Sequence, residues 1–187
     1  LSSWDLDAYT LLKDSNSNVL VAVVLEFNDG WMDEFKKMIS AGVEIFHLKS
    51  DLHGRSSDGT FIMDSMKEAH MHLVETGVRD KISLIGSGGI SAADHLPKAI
   101  ICGADAVSID IPLMFALQGR SIGSLSSRAD TKFTFSRKLS EKWGVQRLKN
   151  LSASWRDQML EILGAMGIRE VRRLRGEFGR SMIVSDL

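Results

Sequence analysis

Apolar positions along the chain follow two alternating rhythms. Residues 19–25, Val-Leu-Val-Ala-Val-Val-Leu, form an unbroken and largely β-branched run, the pattern of a strand buried on both faces. Asn28-Asp29-Gly30 breaks it. Trp31, Met32, Phe35, Met38 and Ile39 then fall at helical spacing, and Gly42 closes the helix. Residues 43–48 predict a second strand and residues 49–59 a polar loop. Residues 61–75 predict a helix with Ile62, Met66, Ala69 and Leu73 on one stripe. Residues 82–86 predict a third strand, and residues 94–102 a helix with Leu96, Ala99 and Ile100 facing inward. Residues 106–110 predict a fourth strand, and residues 113–117 begin another helix. Strand and helix alternating four times predict parallel strands joined by crossover helices.

Outside this rhythm the pattern changes. Residues 1–18 are polar and end in a loop-like Lys-Asp-Ser-Asn-Ser-Asn cluster. Residues 119–136 are rich in Ser, Gly and Arg and show no period. Residues 150–166 predict the strongest amphipathic helix, with Leu151, Trp155, Met159, Ile162 and Leu163 on one stripe. Arg169, Arg172, Arg173 and Arg175 follow it.

Composition narrows the classes. With 23 basic and 24 acidic residues the net charge is -1, so the chain is not built as a polycation for nucleic acid. A single cysteine, Cys102, excludes a disulfide framework and any multi-cysteine zinc or iron–sulfur site made by this chain alone. No apolar run approaches the length of a membrane span, and the N-terminus has no signal-peptide pattern, so a cytoplasmic location is expected. The chain opens on Leu1 without an initiator Met, as a fragment or a processed piece would.

Two places carry candidate chemistry. Gly86-Ser87-Gly88-Gly89-Ile90 lies between a strand and a helix. Glycines there let backbone N–H groups approach an anion, and the helix start adds its dipole. A tight turn into a helix is the plainer reading, and spacing alone leaves both open. The loop after the second strand gathers His47, Lys49, Asp51, His53, Arg55 and Asp58 at a carboxyl strand end, where parallel sheets bind ligands. His47, Asp51 and His53 are metal-ligating types, but an exposed charged loop is the preferred reading and no metal site is assigned. Lys49 offers a point charge to an anionic substrate. His70, His72 and His95 are expected on helix surfaces, and Cys102 as an inert buried thiol. The arginines at 169–175 are expected on a solvated face with Glu170 and Glu177 as partners.

Residues 87–110 read Ser-Gly-Gly-Ile-Ser-Ala-Ala-Asp-His-Leu-Pro-Lys-Ala-Ile-Ile-Cys-Gly-Ala-Asp-Ala-Val-Ser-Ile-Asp. This order resembles the last two βα units of FMN-binding (β/α)8 barrels. Pro112-Leu-Met-Phe-Ala-Leu117 is similar to the segment after the eighth strand in the glutamate synthase family. Residues 73–90 resemble the approach to that family's seventh strand, and residues 160–176 its closing helix and Leu-Arg-Gly ending. The resemblance covers residues 19–118 and 150–185 and is most specific at 86–117.

It implies an α/β fold, the C-terminal half of a parallel (β/α)8 TIM-type barrel with a helical tail. The chain would divide into a half barrel at 1–118, an irregular connection at 119–149 and the tail at 150–187. It implies FMN at the carboxyl ends of the strands, and reduction of an imine of 2-oxoglutarate to glutamate or a related reaction. Electron-donor and amidotransferase subunits are the implied partners, with neither nucleic acid nor membrane. Ser87, Gly88 and Gly89 would receive the flavin phosphate, and Ser108, Ile109 and Asp110 would complete the cup. His47, Lys49 and His53 would act on the substrate or the flavin edge.

The sequence departs from the family in four places. Asp110-Ile111 replaces a Gly-Thr and sets a carboxylate where the phosphate is expected, which is repulsive unless a cation or proton intervenes. The first strand lacks the family's Lys. His53-Gly54-Arg55 replaces a glycine-rich loop, and the cysteines expected from about residue 119 onward are missing. Two other readings stay open: a non-catalytic scaffold or assembly subunit, and a flavin-free phosphate-binding barrel enzyme. A half barrel exposes two open edges and one sheet face. Either a preceding barrel half covers them, or the chain pairs with itself or a partner.

Overall fold

The computed structural model describes residues 5–16, 18–123, 131–135 and 138–180. The order is α1 (Leu6–Ser15), β1 (Val23–Glu26), α2 (Trp31–Ser40), β2 (Ile45–Lys49), α3 (Ile62–Glu75), β3 (Ser83–Ser87), α4 (His95–Ile101), β4 (Ala106–Ser108), α5 (Ile111–Ala116), β5 (Gly119–Ile122), β6 (Lys132–Phe135) and α6 (Glu141–Ala165). Strands β1 to β4 form one parallel sheet in sequence order, and β5 and β6 pair antiparallel. No helix among the described residues is long and apolar enough to cross a membrane.

The pleat sorts the strands into two faces. Leu25, Phe46, Leu48 and Leu84 point one way and pack with Phe35 and Met38 of α2, Met66, Ala69 and Leu73 of α3, and Ala99 of α4. The register puts Val24, His47, Ile85 and Ala106 on the opposite face, with Glu26, Lys49, Ser87 and Ser108 one pleat further on. The apolar run in β1 predicted two buried faces. Instead Val24 is 49% exposed, because no layer among the described residues covers that side.

Three segments differ from expectation. The polar stretch before β1 is a helix, held by Asp5, whose carboxylate accepts the N–H groups of Asp7 and Ala8. Buried Tyr9 ties that helix to the sheet by donating its hydroxyl to the Gly42 carbonyl at 3.3 Å. Residues 119–122 and 132–135 form a hairpin ribbon whose mostly exposed side chains leave no period to read. Helix α6 starts at Glu141 rather than 150, capped by Ser140, and buries Met159 and Leu163 against Ile100, Ile101 and Leu174. The last seven residues assigned to the tail lie outside the described residues.

The chain after α6 is fastened by a buried polar network. Arg79 donates to His70 Nδ1 (3.0 Å), to the Ile82 and Gly103 carbonyls (2.6 and 2.7 Å) and to Asp105 Oδ2 (2.8 Å). Arg175 reaches Asp105 Oδ1 at 2.5 Å and Asp80 at 3.3 Å. Two expectations are thereby corrected. His70 is only 6% exposed, enclosed by α4's following turn and Gly176. Of the arginine cluster, Arg172 pairs with Glu170 as expected, whereas Arg175 joins this inner network. Cys102 is buried as expected, and burial pushes its thiol up to about 12.

Burial, with Arg79 and Arg175 nearby, pushes the His70 imidazole down to about 4, against some relief from Asp105. Between pH 6.5 and 4 the unfolded chain therefore binds a proton that the folded chain refuses. As pH falls across that window stability is expected to drop by up to about 3 kcal/mol, and above pH 7 His70 is expected to add nothing to its pH dependence. Urea melts at pH 7 and 4.5 on wild type and His70→Asn test this. Equal pH slopes for the two proteins would sink the assignment.

Candidate functional site

The carboxyl ends of the four strands carry one polar residue each on the face opposite the helices. Glu26, Lys49, Ser87 and Ser108 stand in register across the sheet. Lys49 Nζ donates to Glu26 Oε1 at 2.6 Å, and that ammonium holds the Glu26 carboxyl below the usual carboxylate range. One pleat back, His47 Nε2 lies 2.7 Å from Ser87 Oγ. Ser87 is fully buried, and Ser108 is exposed at the last strand.

The glycine turn sits directly after β3. Gly88 and Gly89 have φ of 104° and 66°, the left-handed side of conformational space. A Cβ on Gly88 would lie 2.1 Å from Ser50 Oγ and 2.4 Å from the Asp51 carbonyl, and one on Gly89 would lie 2.6 Å from Gly54 Cα. Both glycines are thus needed for the loop after β2 to lie on the turn. That loop is shaped by Asp51, whose Oδ1 accepts the His53 and Arg55 N–H groups at 2.8 and 2.7 Å. His95 of α4 braces the other side, with Nδ1 2.9 Å from the Gly89 carbonyl. Among the described residues, the N–H groups of Gly88, Gly89 and Ile90 donate no hydrogen bond.

The predicted residues fall into two groups. His47, Lys49, Ser87 and Ser108 share one face beside the Gly88-Gly89 turn. His53 reaches the turn with its backbone, while its exposed imidazole makes no hydrogen bond among the described residues. Ile109 is half-buried against the main core. Asp110 caps α5, its Oδ1 accepting the Ile111 N–H at 2.7 Å. Among the described residues no group of three or more His, Cys, Asp or Glu gathers to hold a metal, and the Asp51 carboxylate is spent on its own loop. Sequence reasoning passed over Glu26, although a carboxylate ending an apolar run at a strand's carboxyl end was a readable signal. Ser50 and Gly54 left no such signal, since their importance lies in a contact across two loops.

Comparison with known proteins adds to this geometry. A family described as the conserved region in glutamate synthase matches residues 50–169. The chain is 37% identical over 114 residues to the archaeal glutamate synthase [NADPH] of Methanocaldococcus jannaschii, covering 58% of this chain and 22% of that protein. It is 28% identical over 153 residues to the corresponding protein of Archaeoglobus fulgidus, covering 74% and 30%. The chain thus spans less than a third of the relatives it matches. Among solved structures, the recombinant flavin-binding domain of baker's yeast flavocytochrome b2 superposes with a TM-score of 0.64 at 17% identity, over 98% of this chain and 42% of that one. At that identity the likeness speaks for the fold, and it agrees with a parallel α/β half barrel.

Proposed function

Because the chain belongs to the glutamate synthase family, we propose that it supplies the phosphate-binding half of a flavin-linked, glutamate-synthase-type oxidoreductase barrel. The carrying observation is the run of three N–H groups, Gly88 to Ile90, that end β3 without a protein acceptor among the described residues. That turn fits the phosphate of FMN, which its backbone would hold without any side-chain charge. Asp110 Oδ1 accepts the Ile111 N–H at the start of α5, which would offset part of its charge beside a phosphate. FMN, when bound, supplies the hydride chemistry.

The chain's own residues would bind and orient. Lys49 would hold a carboxylate of a substrate of the 2-oxoglutarate and glutamate class, exchanging it for Glu26. A hydrogen bond between His47 Nε2 and Ser87 Oγ, 2.7 Å apart, would fix the orientation of the imidazole. The only cysteine, Cys102, is buried and protonated, so electrons would arrive from another segment or subunit. A second reading, a barrel half that binds no flavin, is favoured by Val24 and Glu26 on the cup face of β1, which offer no cation there.

Titration of FMN and of riboflavin, followed by flavin fluorescence, separates the two. FMN is expected to bind at least about tenfold tighter, the worth of charge-assisted bonds to the phosphate. Equal affinities would move the phosphate off this turn, and no binding of either would leave the flavin-free reading.

A further inference from the structure

We propose that His95 is a positioning residue for the glycine turn: by holding the Gly89 carbonyl from behind, it aims the Ile90 N–H at a bound phosphate, as Ser50 aims the Gly88 N–H through the Ser87 carbonyl. The inference deepens the proposed function and rests on the reading that this turn receives the phosphate of FMN.

In a trans peptide the C=O and the N–H of the next residue lie in one plane and point in opposite directions. No cis peptide occurs among the described residues. A group that fixes a carbonyl therefore also fixes the N–H on the far side of the same peptide. The Ser87 carbonyl accepts the Ser50 N–H at 2.9 Å and lies 3.2 Å from Ser50 Oγ. Ser50 is buried, so this grip lies out of reach of solvent. The Gly88 N–H then points away from the loop after β2, to the side of β4. The Gly89 carbonyl lies 2.9 Å from His95 Nδ1, so the Ile90 N–H points away from α4. The Ile90 side chain is buried in the main core, which anchors the far end of that peptide.

Such a hold matters because glycine lets a peptide plane turn over. The residues that admit a phosphate to the backbone also free the turn to aim its N–H groups elsewhere. Fixing the carbonyls beforehand removes that freedom before the ligand arrives, so binding has less ordering to do. His95 touches no ligand atom in this role.

The same geometry assigns the proton on the ring. Nδ1 also lies 3.3 Å from the Ser91 N–H. It cannot serve both neighbours, since accepting from Ser91 would set its lone pair against the Gly89 oxygen. The contact with Gly89 is the shorter, and Ser91 is exposed, so water can serve its N–H. Nδ1 therefore carries the proton and donates it to the Gly89 carbonyl.

The test compares wild type, His95→Leu and His95→Asn in the 187-residue chain, each titrated with FMN and with riboflavin by flavin fluorescence. Asparagine carries an N–H donor on Cγ, where Nδ1 stands in histidine, and leucine carries a methyl there. The ratio of the two affinities isolates the share of the phosphate. His95→Leu is expected to cut that ratio by about threefold to tenfold, the worth of one preset hydrogen bond, and to leave riboflavin binding unchanged. His95→Asn is expected to keep most of the wild-type ratio. A proton–nitrogen correlation spectrum of the His95 imidazole at pH 8 is expected to show the proton on Nδ1. A wild-type ratio in His95→Leu, an equal loss in His95→Asn, an equal loss of riboflavin binding, or a proton on Nε2 alone would overturn the proposal and leave the phosphate reading standing. Equal affinities of wild type for FMN and riboflavin would overturn that reading, and the proposal with it. If His95→Leu loses its far-UV circular dichroism, His95→Asn and the position of the ring proton decide.

Discussion

Arg79→Met is expected to lower the free energy of unfolding by about 3–5 kcal/mol, the cost of breaking a buried charge network from one side. The guanidinium side chain is 7% exposed and serves four acceptors: His70, Asp105 and the carbonyls of Ile82 and Gly103. Methionine fills similar volume and satisfies none of them. Asp105 keeps Arg175 and the Leu84 N–H, but the two carbonyls and His70 Nδ1 lose their partner in a dry site. Urea unfolding followed by tryptophan fluorescence measures the loss. A change under about 1 kcal/mol would mean that water enters and replaces the guanidinium.

Gly88→Ala is expected to cost about 2–5 kcal/mol, combining left-handed strain with overpacking. The new methyl would meet Ser50 Oγ and the Asp51 carbonyl, and a carbonyl of a loop fixed by its own Asx turn cannot swing aside cheaply. Gly88→Ala and Gly88→Ala/Ser50→Gly should be compared by thermal melting. Removing the serine hydroxymethyl relieves one clash but not the carbonyl's, so only part of the loss should return. Full stability in the single variant would show that the loop does not rest on the turn.

The sheet was legible because its strands are buried on the helix side, where Leu25, Phe46, Leu48 and Leu84 repeat every second residue. Its carboxyl-end polar residues were legible for the same reason: Lys49 and Ser87 end apolar runs. The uncovered face followed from the count of four strands and not from the run in β1, which spells the same letters as a strand buried on both faces. Helix α1 escaped notice because a single residue, Tyr9, anchors it. His70 was misplaced because a histidine between Ala69 and Met71 carries no mark of Arg79, nine positions away, or of Gly176. The role of Asp110 as a helix cap was readable from the Pro that follows at 112.

The contact between Gly54 and Gly89 binds the histories of two distant codons. A side chain at Gly89 would meet Gly54 Cα at 2.6 Å, and one at Gly54 would press on Gly89 Cα at 3.2 Å. Each glycine thus fixes the choice at its partner, and drift at one site alone is closed off. A lineage could exchange them only after the loop following β2 had first lengthened or lifted away. In such a lineage residue 50 would no longer rest against Gly88, and only its left-handed backbone, φ 104°, would still favour glycine there. Insertions between β2 and α3 should therefore travel with substitutions at positions 88 and 89, and a laboratory selection that begins with one should recover the others.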